Sequence, residues 1–108
     1  MLLYTYIKLI KKWAEKRKLL DYGTPLSQAL KTKEEAEELV EAIRKGNLNE
    51  IKDGIGDVFV TLIVLCSILK LKLEDCVAYA YNQIKDRKGK IINGQFVKEE
   101  ENASKRRN

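Results

Sequence analysis

Apolar residues recur every three or four positions through most of this chain, which is the spacing of helices with one buried face. The segments "DYGTP" and "KGN" interrupt the pattern with turn-forming residues. The pattern therefore predicts an all-α protein whose four helices form a bundle-like domain. The predicted helices cover residues 3–20, 26–45, 49–71 and 73–87.

Each predicted helix has an apolar side that we expect to face the core. On the first helix Trp13 shares a stripe with Tyr6 and Ile10, so we expect it in the core, with stacking on a base as the alternative. The apolar sides of the second and fourth helices are Ala29, Ala36, Leu39, Val40 and Ile43, and Val77, Ala80, Tyr81 and Ile84.

The pattern changes after the fourth helix. "GKIINGQFVK" contains two short β-type runs around Asn93-Gly94, a dipeptide that favours a two-residue hairpin turn. We predict a hairpin over residues 88–97, which completes a single domain over residues 1–97. The remaining "KEEENASKRRN", residues 98–108, has almost no apolar content and is predicted to be disordered.

The composition narrows the chemistry that this chain can perform. Its 108 residues include no histidine, which excludes Ser-His-Asp and Cys-His catalysis and leaves carboxylates, lysines, arginines or a metal. The only cysteines, Cys66 and Cys76, form neither a disulfide framework nor a zinc motif, and we expect both to be reduced core residues. No signal-peptide pattern is present, and the apolar run at 58–69 is too short to span a bilayer. We therefore expect a cytoplasmic protein without a membrane partner.

Charge is distributed unevenly along the chain. The net charge is +5, but residues 34–57 carry eight acidic against three basic residues, a net −5, so the remainder is +10. An acidic segment within a basic protein suits a cation-assisted site for an anionic ligand. A solvated helix face is the alternative interpretation of the acidic run.

The acidic residues fall on two helical stripes. Glu35 and Glu38 are three residues apart on the second predicted helix, and the third carries Glu50, Asp53 and Asp57 on one stripe. Carboxylates brought this close repel one another unless protons or cations intervene. Hard oxygen donors favour Mg²⁺ or Mn²⁺. The spacing thus indicates a helix-borne metal site, or else a frayed first turn with exposed acids.

Beyond spacing, two segments resemble the MazG-like nucleotide pyrophosphohydrolases of the all-α NTP pyrophosphatase group. "QALKTKEEAEELVEAI" and "EIKDGIGDVFVTL" are similar to that family's pattern of E-E-x-x-E, a spacer and E-x-x-D. "YNQIKDRKGK" is similar to its later asparagine, lysine and arginine segment. "RKGKIINGQF" resembles the short forms found in phages and Gram-positive bacteria. The resemblance covers about residues 10–97.

The resemblance implies Mg²⁺-dependent hydrolysis of a (deoxy)nucleoside triphosphate to the monophosphate and pyrophosphate by a homodimer or homotetramer. The residues that match metal ligands are Glu35, Glu38 and Asp57. Glu34 or Asp53 is expected to accept the proton of the attacking water. The residues expected near phosphates are Asn82, Lys85, Arg87 and Lys88, and Lys31 lies one turn before the acids.

One position departs from the family pattern, because Gly54 stands where E-x-x-D begins with an acid. Asp53 is adjacent and Glu50 lies one turn back, and either is a candidate substitute, but neither has the same direction, since neighbouring helical positions point about 100° apart. The alternative function is therefore a degenerate relative that binds nucleotides without efficient turnover. A nucleic-acid or partner-binding module, suggested by the basic remainder, and a purely structural helical oligomer are less favoured, and no recognised nucleic-acid motif is present.

Overall fold

The computed structural model describes residues 1–99 of the chain. It contains five helices and one two-stranded antiparallel sheet in that range. Two compact units are present, residues 1–73 and a second unit that begins at Glu74. The all-α class with a C-terminal hairpin is confirmed, whereas the predicted single domain over residues 1–97 stays a prediction.

The first predicted helix is divided in two. Helix α1 covers Leu3–Lys16, and a single further turn, α2, covers Leu19–Tyr22. Between them Lys18 has a left-handed conformation with φ 63°. A continuous helix over residues 3–20 was therefore wrong, because an ordinary lysine, and not glycine or proline, breaks it.

Both α3 and α4 begin, and α3 also ends, at capping residues that stand in the sequence. Helix α3, Pro25–Lys45, starts behind Thr24, whose Oγ1 accepts a hydrogen bond from Ser27 N at 3.2 Å. It ends at Gly46, and α4, Leu48–Leu69, starts behind Asn47, whose Oδ1 accepts from Glu50 N at 3.1 Å. These two helices form the antiparallel pair that carries the acidic residues.

The core of the first unit is formed mainly by α1 and α4. Its buried hydrophobic residues in these helices and in α3 are Ile7, Ala14, Ala42, Ile63, Val64 and Cys66. The tight contact between α3 and α4 is at Gly54, where an added Cβ would meet Leu39 Cα and Cβ at 3.3 Å. A glycine at this position lets the two helices approach closely.

The second unit contains most of helix α5, Leu73–Ile84, and strands β1, Gly89–Ile92, and β2, Gln95–Lys98. Helix α5 ends three residues before the predicted Arg87. The hairpin is confirmed: Ile92 pairs with Gln95, and both residues of the Asn93-Gly94 turn have positive φ, at 51° and 76°. Strand β2 runs one residue past the predicted end, and residues 100–108 of the predicted tail lie outside the described chain.

Several apolar faces that were expected to be buried are exposed in the single chain. Val77, Ala80, Tyr81 and Ile84 of α5 are exposed, and so are Ala29, Ala36, Val40 and Ile43 of α3. On α3, Leu39 is half-buried and Ala42 is buried, so the face packed against α4 is narrower than predicted. Trp13 is 42% exposed and was wrongly expected in the core. Among the described helices, none is by itself long and apolar enough to cross a membrane.

Candidate active site

Most acidic residues of α3 and α4 line one cleft of about 490 Å³, and Glu35 is not in its lining. Glu34 and Glu38 come from α3, and Asp53 and Asp57 come from α4. Gly54 forms part of the wall between them. The two stripes predicted from the sequence therefore do face each other across the helix pair.

Glu35 is the most enclosed of the acidic residues in this region. Its side chain is only 12% exposed, and Lys31 Nζ lies 3.4 Å from its Oε1. Its other oxygen, Oε2, is buried and has no hydrogen-bond partner. A buried carboxylate oxygen without a donor is costly, so this atom calls for a proton or a cation.

Lys31 is the cation that the chain itself supplies to the acids. Its Nζ lies 3.4 Å from Glu34 Oε1 as well as from Glu35, and these two hydrogen bonds raise the pKa of the Lys31 ammonium. The lysine therefore stays charged beside the cleft. One ammonium nevertheless leaves the surrounding carboxylates in excess.

The excess of negative charge is visible in the pKa values of two carboxyls. A hydrogen bond to Glu35, and then repulsion by its charge, raise the pKa of Glu38, since only a protonated Glu38 can donate to that carboxylate. Partial burial, followed by repulsion from Asp53 and Glu35, raises the pKa of Asp57. Glu35, Glu38 and Asp57 thus form one interacting group.

The chemistry of this group fits a hard divalent cation, which would satisfy Oε2 of Glu35 and relieve the repulsion. Within residues 1–99, however, no three His, Cys, Asp or Glu side chains are already arranged to hold a metal ion. The carboxylates are close and interacting without being preassembled. That state is compatible with an ion that receives several of its ligands from elsewhere.

The predicted phosphate contacts divide between the two units. Lys31 lies beside the acids in the first unit, as described above. In the second unit, Asn82 is on α5, and Lys85, Arg87 and Lys88 follow its last turn. All four side chains are exposed.

A second cavity, of about 650 Å³, adjoins the acids on their other side and was not predicted. It shares Glu34, Glu35 and Asp57 with the acidic region and reaches Trp13 on α1. Gln28 on α3 and Thr61 on α4 also line it. The sequence offered only a weak signal for it, since Gln28, Lys31 and Glu35 recur at helical spacing while Thr61 lies inside an apolar run.

Comparison with known protein families gives a match to the segment that contains these acids. The model of the MazG nucleotide pyrophosphohydrolase domain matches residues 23–92, which is 70 of the 108 residues. The chain belongs to the MazG family. The matched segment includes α3, α4 and α5, so every acid of the cleft lies within the MazG domain, whereas α1 and Trp13 precede it.

A relative of this MazG chain is encoded by a phage. The chain is 44% identical over 59 residues to an uncharacterized 18.2 kDa protein of the rep-hol intergenic region of Haemophilus phage HP1, strain HP1c1. The match covers 55% of this chain and 36% of the phage protein, so it spans about a third of the relative's length. No solved structure matches the chain significantly.

Gly54 lies at the close contact between α3 and α4 of this MazG domain. A side chain at position 54 would start against Leu39, with Cδ1 at 3.1 Å from the added Cβ and Cα at 3.3 Å. A glutamate could be accommodated here only if Leu39 and its helix moved by a few tenths of an ångström. The missing acid and the close helix contact are therefore two aspects of one feature.

Proposed function

We propose that this MazG-family protein is a cytoplasmic enzyme that hydrolyses (deoxy)nucleoside triphosphates to the monophosphate and pyrophosphate with the help of Mg²⁺, with Mn²⁺ as the alternative ion. The observation that carries the proposal is the interacting group of Glu35, Glu38 and Asp57, in which Oε2 of Glu35 is buried without a donor and the pKa values of Glu38 and Asp57 are raised. Repulsion between these carboxylates is unfavourable without a counter-ion. A divalent cation that prefers oxygen ligands would offset this repulsion.

Glu35, Glu38 and Asp57 would hold the metal ion in this proposal. Mg²⁺ is commonly bound by one or two carboxylates together with substrate phosphates and waters, which agrees with a donor set that is not preassembled. The ion, when bound, would offset charge on the triphosphate and lower the pKa of water. Glu34 and Asp53 line the same cleft, and either carboxylate would accept the proton of the attacking water. The water oxygen would bond to the α-phosphorus while the bond from that phosphorus to the α–β bridging oxygen breaks, so that pyrophosphate leaves.

Positive side chains would bind the remaining charge of the substrate. Lys31 lies beside the acids and would exchange a carboxylate partner for a phosphate oxygen. We assign Asn82, Lys85, Arg87 and Lys88 the same task, and the support for this assignment is their match to the family's basic segment. Arg87 would act as a planar donor fork and the lysines as point charges.

The active form in this proposal is a homodimer or homotetramer. Large apolar side chains are exposed on several helices of the single chain, including Val40 and Ile43 on α3 and Val77, Tyr81 and Ile84 on α5. Contiguous exposed apolar surface is unusual for a monomer and typical of an interface. A second copy of the chain is the occupant that the family's shared helical cores suggest.

A pyrophosphate-release assay on the purified full chain tests the function. The assay covers the common NTPs and dNTPs with Mg²⁺, with Mn²⁺ and with a chelator. We expect metal-dependent formation of monophosphate and pyrophosphate. Glu38→Gln should lower the rate by roughly a hundredfold, since a metal donor of the right charge is lost.

The matched control is Glu15→Gln, an exposed acid on α1 outside both cavities. It should leave the rate unchanged. If Glu38→Gln hydrolyses substrate as fast as the unmodified protein, the assignment of the acidic group as the metal site is wrong.

One observation favours the second candidate, a nucleotide-binding protein without efficient turnover. Position 54 has no carboxylate and no room for one at the present helix spacing. Saturable nucleotide binding without pyrophosphate release under every metal condition would select this alternative.

A further inference from the structure

The cavity on the other side of the acids has the composition of a ligand pocket. Its volume of about 650 Å³ lies within the range for small-molecule sites. The walls combine apolar side chains such as Leu30, Val60 and Val64 with polar and charged ones. Because Glu34, Glu35 and Asp57 form one end of it, a ligand held at the acids through its phosphates would have its other end here.

We propose that this cavity receives the nucleoside part of the substrate, with Gln28 hydrogen-bonding the base and Trp13 contacting its face. The inference rests on the proposed function for the position of the phosphates. Trp13 precedes the segment that matches the family, so the match itself assigns it no role.

Gln28 is held in one orientation by the main chain of α4. Its Nε2 donates to the carbonyl oxygen of Thr61 at 3.1 Å. Because a carbonyl oxygen only accepts hydrogen bonds, Gln28 must place Nε2, and not Oε1, against it. The other N–H and the Oε1 acceptor remain for a ligand. A half-buried amide fixed in this way discriminates between bases because a mismatched edge leaves one of its groups unpaired.

A hydrogen bond between two threonines links α3 to α4 near Gln28. Thr61 Oγ1 donates to Val58 O at 2.6 Å, so it accepts from Thr32 Oγ1 at 2.9 Å. This satisfies the buried hydroxyl of Thr61 and ties α3 to α4 one turn from Gln28. The two threonines are positioning residues, and no base contact is assigned to them.

The spacing along α3 suits a nucleotide that spans both regions. Gln28 and Glu35 are seven residues apart, which is about 10 Å along the helix axis and two full turns. They therefore lie on the same face, with Lys31 between them. A ligand with a base at Gln28 and phosphates at Glu35 would follow this face.

Trp13 forms part of the cavity wall. The Arg17 guanidinium lies 4.5 Å from the centre of its ring and donates to its carbonyl oxygen at 3.2 Å. One face of the indole is thus covered, and a base would stack on the other. This arrangement also holds the indole in place before the ligand arrives.

Trp13 is the only tryptophan of the chain, so its fluorescence reports on this cavity alone. The experiment titrates the full-length protein with each of the four dNTPs in Mg²⁺, and separately with inorganic tripolyphosphate as a probe that lacks a nucleoside. We expect saturable quenching by at least one dNTP and none by tripolyphosphate. Equal responses to both probes would overturn the proposal, because the signal would then come from the phosphates.

Gln28→Met tests the hydrogen bonds at nearly constant side-chain length. We expect about tenfold weaker binding of the preferred dNTP and a smaller loss for the others, so that the preference between bases is reduced. Gln95→Met, the same change on the exposed strand β2, should alter nothing. An equal loss for all bases would show that Gln28 does not read the base.

Pyrophosphate release measured on the same samples separates this proposal from the proposed function. Hydrolysis with unchanged Trp13 emission overturns the cavity assignment and leaves the enzyme intact. Quenching without hydrolysis supports the cavity and removes the activity. If a folded sample, judged by circular dichroism, shows neither signal, the cavity assignment is also overturned.

Discussion

The α3–α4 pair and the second unit differ in how far their apolar groups are buried and their polar groups are paired. In the pair, the helices meet without a side chain at Gly54, Thr61 is satisfied, and even the acids have defined neighbours. In the second unit, the side chains of α5 beyond Leu73 are exposed or half-buried, and both strands are exposed on each face. The difference shows that the chain by itself defines the acidic cleft, whereas the second unit leaves apolar surface unburied.

The largest expected effect on stability comes from a substitution at the close contact between α3 and α4. Gly54→Ala places a Cβ about 3.3 Å from the Leu39 backbone, so we expect a loss of roughly 1–3 kcal/mol in the free energy of unfolding. Two residues later, an added Cβ at Gly56 meets nothing within 4 Å. Gly56→Ala should therefore stabilise the helix by about 0.5–1 kcal/mol.

Denaturant unfolding of both variants measures whether the two substitutions change the free energy of unfolding in opposite directions. If both variants gain stability, the helices do not approach at Gly54 as described. Leu39→Ala should cost less stability in the Gly54→Ala background than in the unmodified protein, since the two residues contact each other and their effects are then not additive.

The next effect concerns the exposed face of the second unit. Tyr81→Glu places a charge on the face of α5 that we propose to be covered by a second copy, and should weaken self-association by roughly tenfold or more. Sedimentation over a range of protein concentrations measures it. Gln83→Glu, an exposed polar position on the same helix, is the control. A protein that is monomeric before any substitution would contradict the proposed oligomer.

The smallest expected effect concerns the contribution of Asp57 to stability. The raised pKa of Asp57 means that its ionised form is disfavoured in the fold, so the stability it contributes is present at low pH and is lost as pH rises through that pKa. In chelator at neutral pH, Asp57→Asn should therefore have a higher melting temperature than the unmodified protein. The gain should shrink as pH falls through the carboxyl range.

Thermal melts across pH measure this difference, and Mg²⁺ should raise the melting temperature of the unmodified protein more than that of Asp57→Asn. A variant that is less stable than the unmodified protein at neutral pH in chelator would show that Asp57 is not electrostatically disfavoured.

The sequence predicted the features that depend on local signals. Thr24-Pro25 and Gly46-Asn47 bound α3 and α4 closely, and Asn93-Gly94 set the hairpin register, because caps and turns act over a few residues. Helical spacing also placed Glu38 and Asp57 at one cleft. The caps and the turn required no knowledge of which helices are neighbours, whereas the cleft also required that α3 and α4 pack against each other.

The missed features depend on contacts between distant segments or on backbone conformations without a sequence signal. Lys18 is left-handed although lysine does not favour that region, so the break after α1 was not visible. Helical spacing identified apolar faces such as that of Val77 and Tyr81 but could not show whether the same chain covers them. The cavity at Trp13 arises from four helices together, and the core expectation for that residue failed for this reason.

The short connection between α3 and α4 has a consequence for how the cleft forms during folding. Only Gly46 and Asn47 separate the two helices, so Glu38 and Asp57 are brought together by closing a small loop. Loop-closure entropy grows with loop length, and contacts that are local in sequence form early. We therefore expect this helical hairpin, with its mutually repelling carboxylates, to assemble among the first events of folding.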